Sequence, residues 1–204
     1  MPILIAITFH EVAHGWVAYK LGDRTAKDMG RLTINPLAHI DPMGTILMPI
    51  LLLIVTHGQF VFGYAKPVPI NPFNFKHPRK GMAISAAAGP LVNLMLATLS
   101  LIILKMVTIP YGNQLPSSIT TPLNLMLYSS ITLNVVLASF NLIPIPPLDG
   151  GRILAGILPE RMAYSLGKLE PYGMIIVIIL IATDTARYLI MPIMAVFMTL
   201  LSLI

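Results

Sequence analysis

Hydrophobic residues gather into four runs: Met1 to Leu21, Met82 to Val107, Leu123 to Ile143 and Tyr172 to Ile204. Each is long enough to enter or cross a bilayer, since a crossing helix takes about 20 residues. A fifth run, Met43 to Val55, is shorter and carries Pro49, which predicts a re-entrant or half-buried segment. Between them, Gly58 to Pro72 alternates residue types and holds Pro67, Pro69 and Pro72, the pattern of an edge strand or ribbon. In the last run Asp184 and Arg187 break the apolar pattern, which fits two short crossings with an outer turn or one long tilted helix. No repeat or soluble module is visible. The pattern predicts an all-α polytopic membrane protein. It would be a single domain over residues 1–204, a bundle of about four to six transmembrane or re-entrant helices with a small β-ribbon near the cytoplasmic face.

Composition agrees with the pattern. Hydrophobic residues make up 56% of the chain and charged ones 10%, outside the range of soluble domains. With no cysteine, disulfides and thiolate metal sites are excluded, so any bound metal must use nitrogen and oxygen ligands. The formal charge is +5, but the basic residues are scattered between apolar runs without interleaved aromatics. That placement argues against a nucleic-acid partner and reads instead as a topology signal. Lys20, Arg24, Lys27 and Arg31 lie on one side of the short run, and Lys66, Lys76, Arg79 and Lys80 on the other. If both loops are cytoplasmic, the short run enters and leaves by one face. The loop Ile109 to Thr121 lacks Lys and Arg and is expected outside, and Arg152, Arg161 and Lys168 return the chain to the cytoplasm. The first run has no basic leader and is expected to stay in the mature protein. Only nine residues precede its histidine, which leaves room for an upstream segment.

Chemistry enters with His10, Glu11 and His14, placed inside the first run. A charged side chain at the bilayer centre costs roughly 2.5–3.5 kcal/mol on insertion scales, so ionisable groups kept there are functional candidates. The spacing is H-E-x-x-H. On a helix His10 and His14 share one face and can reach one metal, with Glu11 beside them. A hydrolytic zinc takes three protein ligands, so one is still wanted. Asp149 stands out among the eight acidic residues, because prolines at 144, 146 and 147 precede it and Gly150-Gly151 follow. Such a segment breaks a helix and can aim a carboxylate inward. Taken alone, Asp149 fits a helix cap equally well.

Three motifs in order, HEVAH, Gly89-Pro90-Leu-Val-Asn93 and NLIPIPPLDG, closely resemble the site-2 protease family of intramembrane zinc metalloproteases, peptidase family M50. GRLTINPLAHIDPMG and GYAKPVPIN look like its compact prokaryotic subgroup, and the PDZ and CBS domains of larger members are absent from this stretch. The resemblance implies one Zn2+ per chain held by His10, His14 and Asp149, with Glu11 as general base. It implies that Asn141 helps hold substrate or stabilise the oxyanion, and that Asn93 has a supporting role at the substrate. The edge strand carrying Pro67 and Val68 would contact substrate. That substrate would be a transmembrane protein in the lipid bilayer, cut in or near its spanning segment. The active site would face the cytoplasmic side of a multi-pass cell-membrane protein.

Two other functions remain open to the sequence. A buried His and Asp cluster also marks ion paths, so a divalent-metal transporter or channel is one alternative. A non-catalytic relative that binds membrane proteins is the other. His39, His57 and His77 read as loop or interface histidines, Asp184 and Arg187 as partners of each other, and the 13 methionines as lipid-facing or core filler.

Overall fold

The computed structural model describes residues 2–58, 63–108 and 116–203. The helices are α1 (Pro2–Lys20), α2 (Thr25–Asp28), α3 (Met48–Val55), α4 (Pro78–Ile103), α5 (Ser117–Asn141), α6 (Asp149–Ile157), α7 (Glu160–Gly167), α8 (Glu170–Ala182) and α9 (Thr185–Leu203). A π-turn Pro42–Leu47 leads into α3, and another, Leu104–Thr108, ends α4. Among the described residues α4 with its π-turn and α5 are long and apolar enough to cross a membrane. The pair α7 and α8, bent by 67°, could make one further span. The stretch Pro42–Val55 stays short, as its length predicted.

α4 is the hub, packed against α1, α5 and α6. Its buried face runs Gly81, Ser85, Gly89, Asn93 and Ala97 at four-residue spacing, while Ile84, Leu91, Met95 and Leu99 face outward. α1 repeats the inversion, with Ala6, His10, His14 and Ala18 inside and Ile5, Phe9 and Trp16 outside. In lipid the hydrophobic effect does not drive helices together, so close backbone approach over small residues and buried hydrogen bonds do. Large apolar side chains serve as the lipid-facing surface. Only near the far end of the pair does ordinary apolar packing take over, where Leu101 and Leu104 meet Leu127 and Ile131.

One expectation changes, and one open alternative is decided. The β-ribbon is not formed: residues 63–71 run without helix or strand, no strand exists among the described residues, and 59–62 lie outside them. The N–H groups that a sheet would use go elsewhere, Tyr64 to the Gly44 carbonyl, Lys66 to the His39 carbonyl and Val68 to the Glu11 side chain. Prolines 67 and 69 have no N–H to offer. Secondly, the run Tyr172 to Ile204 is divided between α8 and α9 at Asp184, whose φ is +56°. Asp184 and Arg187 do pair, at 3.8 Å. Of the loop expected outside, Ile109 to Thr121, residues 109–115 lie outside the described set.

The loop after α1 is tied to the start of α4 by Asp23, which is fully buried. Its carboxylate accepts from the Thr25 hydroxyl and N–H, the Asn71 N–H and the Asn74 side-chain amide. Burial pushes this carboxyl up, but those donors outweigh it and hold the group below the ordinary carboxylate range.

Candidate metal centre

α1 carries His10 and His14 one turn apart, and α6 brings Asp149 to them from 135 residues along the chain. The loop 142–148 ends α5 and starts α6 through Pro144, Pro146 and Pro147. Gly150 and Gly151 let the first turn of α6 lie directly on that loop: a Cβ at either would collide with the backbone of Leu142, Ile143, Ile145 or Pro146. Asp149 therefore begins α6 as its first residue, with its side chain beside the two histidines of α1.

Asp149 Oδ2 lies 3.2 Å from His10 Nε2 and 3.2 Å from His14 Nε2, and the two Nε2 atoms are 3.0 Å apart. All three residues are buried. The other ring nitrogens are engaged: His10 Nδ1 meets Asn93 Oδ1 at 2.5 Å, and His14 Nδ1 meets the Ser85 carbonyl at 2.7 Å. Both acceptors require Nδ1–H, which leaves a lone pair on each Nε2. Two lone pairs and a buried carboxylate oxygen without a hydrogen-bond donor thus converge on one point. A proton on one imidazole would serve part of that cluster, whereas a divalent cation serves all of it. A tetrahedral zinc with N and O bonds of about 2.0–2.1 Å holds its ligand atoms about 3.3 Å apart, close to the spacing seen here.

Gly89 leaves room for the cluster. A Cβ there would come within 2.5 Å of His14 Nε2 and 2.6 Å of His10 Cε1, so only glycine lets α4 pass this close to both rings.

Glu11 is half-buried beside the histidines, its Oε2 accepting from the Val68 N–H at 2.8 Å. Gly15 permits that approach, since a Cβ on it would stand 2.7 Å from Val68 Cγ1. Val68 is itself buried with its N–H spent on Glu11, so it supports the carboxylate and does not present an edge to substrate. Pro67 is exposed, but its carbonyl and that of Lys66 accept from Arg31. Asn93 is fully buried, and its amide is committed to His10, the Ala6 carbonyl and Asn134. Asn93 was expected at the substrate; it stands instead against His10, buried between α1 and α5. Asn141 closes α5 half-buried, its Nδ2 donating to the Leu137 carbonyl at 2.9 Å and not directed to the triad by any hydrogen bond. His39 is buried on the Thr33 carbonyl, away from the cluster.

Sequence reasoning passed over Asn134, Ser85 and Gly89 as parts of the site. The small-residue stripe on α4 was the available signal for two of them.

The sequence pattern of Peptidase family M50 matches residues 103–183, a stretch that includes Asn141 and Asp149. YwhC of Bacillus subtilis, provisionally named a zinc metalloprotease, is 40% identical over 94% of this chain and 83% of its own length. Rip2 of Mycolicibacterium smegmatis, named in the same way, is 29% identical over 88% of this chain and 64% of its own. The zinc metalloprotease MJ0392 of Methanocaldococcus jannaschii is 28% identical over 79% of this chain and 34% of its own. No solved structure matches the chain significantly. With a relative this similar along nearly its whole length, the chain belongs to peptidase family M50.

Proposed function

We propose that this M50 peptidase hydrolyses peptide bonds in or beside the transmembrane segments of membrane-protein substrates. The 204 residues act as one membrane-embedded domain, with one zinc ion held by His10 Nε2, His14 Nε2 and Asp149 Oδ2. The observation that carries the reading is the convergence of three electron-rich, buried atoms with Glu11 alongside.

When bound, zinc supplies Lewis acidity, polarising a carbonyl and lowering the pKa of water to about 7. The chain's own groups do the rest. Val68 N–H fixes one oxygen of Glu11, and the carboxylate accepts a proton from the attacking water and returns it to the leaving amine. Asn141 Nδ2 has a second hydrogen beyond the one given to Leu137, available to an oxyanion. Exposed Pro67 borders the approach to Glu11 and is the remaining substrate contact in the segment 63–71. A helical substrate hides its carbonyls in its own hydrogen bonds and must unwind locally before it can be cut.

The active site faces the cytoplasm in this reading. Lys20, Arg24, Lys27 and Arg31 follow α1, Lys66 and Lys76 precede α4, and Arg152 lies in α6, so the basic residues cluster at the ends of the elements that carry the site.

The test is zinc-loaded, detergent-purified chain mixed with single-pass membrane proteins. Glu11→Gln should keep its zinc and lose at least about a hundredfold in cleavage rate, the lower range for a general base. Equal cleavage by that variant would refute the assignment.

A further inference from the structure

We infer that Asn134, in the middle of α5, is a positioning residue for the metal centre, acting through Asn93 to fix which nitrogen of His10 carries its proton. The inference rests on the zinc-site reading above and adds a residue that no motif marks.

Backbone carbonyls only accept, so the Asn134 side-chain atom 2.8 Å from the Ser130 carbonyl must be its NH2. The same group lies 3.3 Å from the Ser130 hydroxyl, which is itself paired with the Ser100 hydroxyl. Asn134 Oδ1 is thereby turned to Asn93 and accepts from its NH2 at 2.8 Å. The Ala6 carbonyl fixes Asn93 the same way, 3.2 Å from that NH2. Asn93 Oδ1 is then left facing His10 Nδ1, which must be N–H. The bare lone pair falls on Nε2, the atom that meets His14 and Asp149.

Asn134 is 1% exposed and Asn93 0%, so bulk solvent does not reach either amide. Removing the Asn134 oxygen leaves the buried NH2 of Asn93 held by the Ala6 carbonyl alone, at 3.2 Å, and so weakens the lock on that amide. A turned Asn93 would point NH2 at His10 and favour the Nε2–H tautomer, which cannot bind a metal through Nε2.

Full-length protein in detergent is titrated with zinc against a chelator of known affinity. Asn134→Leu should weaken zinc binding about 10–100-fold, as loss of a group supporting a metal-bound histidine does. In an Asn93→Leu background the same change should alter affinity by no more than about twofold, because its route to the metal is already cut. Wild-type affinity in Asn134→Leu, or losses that multiply in the double variant, would overturn the inference. If Asn134→Leu does not fold, 15N NMR of metal-free wild type decides: Nδ1–H on His10 agrees, and Nε2–H overturns it. Asp149→Ala serves as the control. Stoichiometric zinc in that variant would count against the ligand assignment, while the tautomer measurement still judges Asn134.

Discussion

Replacing Gly89 with alanine sets two effects of opposite sign against each other. Gly89 lies inside α4, where alanine is favoured over glycine by roughly 0.5–1 kcal/mol in a helix interior. On propensity alone the variant should be more stable. Its methyl, however, would sit 2.5 Å from His14 Nε2 and 2.6 Å from the Cε1 atoms of both histidines, about 0.9 Å inside ordinary contact. These rings cannot simply swing away. His10 is held by Asn93 and His14 by the Ser85 carbonyl, and all of these groups are buried. Forcing an extra methyl into such packing typically costs about 1–3 kcal/mol, enough to cancel the helix gain or reverse it.

The larger consequence concerns metal. Ligand distances in a workable site hold to about 0.2 Å, so a displacement several times that size removes at least one imidazole from the shell. Gly89→Ala should lose most of its zinc in chelator competition and its peptidase activity with it, while α-helical content stays native. Gly167→Ala is the comparison, because a Cβ there meets nothing within 4 Å. It should keep zinc and activity and be neutral or slightly stabilised. Wild-type zinc affinity in Gly89→Ala would refute the claim that α4 presses against the two rings.

Asp23→Asn should destabilise the fold by about 1–3 kcal/mol, since an amide cannot accept from all the donors around that buried site. The folded carboxyl sits below its ordinary value, so its contribution is complete above about pH 4 and fades as pH falls through the depressed folded value. Thermal unfolding of wild type and Asp23→Asn should differ by a constant amount at neutral pH and converge in acid; a pH-independent gap would refute the linkage. Gly15→Val should push Val68 and Leu32 away from α1 and free Glu11 of its N–H partner, lowering kcat while zinc content is unchanged. Loss of zinc in that variant would show instead that the disturbance reaches the histidines.

Hydropathy located the apolar helices but not their ends, and it did not mark α2, α6 or α7. The runs starting at Met82 and Leu123 became α4 from Pro78 and α5 from Ser117, because each helix opens with a polar turn that carries no apolar signal. Pro78 at the helix start and Ser117-Ser118 were the marks of those turns. The break at Asp184 was legible as an interruption, but choosing between one helix and two needed the backbone, where that residue adopts a positive φ. Alternation with prolines at 67, 69 and 72 suggested a strand. What decided otherwise was that no partner strand lies among the described residues, with Gly44, His39 and Glu11 taking the N–H groups instead.

The histidines and Glu11 could be read from spacing because one helical turn fixes their mutual geometry. Of the groups that reach them from other helices, Asp149 stood out by its flanking prolines and glycines and Asn93 by its motif, whereas Ser85 and Asn134 carried no signal of their own, since hydropathy has no rotational phase. Ser85 and Asn134 are each an ordinary polar residue in an apolar run until α4 and α5 are turned to a particular face. The spacing of small residues on α4 does contain that phase. Gly81, Ser85, Gly89, Asn93 and Ala97 mark one line, and in lipid such a line is the inner face. Following it to α1 would have brought Ser85 and Asn93 against histidines that also recur every four residues. The same requirement builds the fold and the site. Close helix approach in a membrane depends on small residues, and that closeness lets a carbonyl on α4 and an amide on α4 each hold one imidazole while a glycine between them leaves space for the two rings. A bulky apolar residue anywhere on that line would thus damage packing and metal binding together, whereas the same residue at Ile84 or Leu91 faces outward and touches neither.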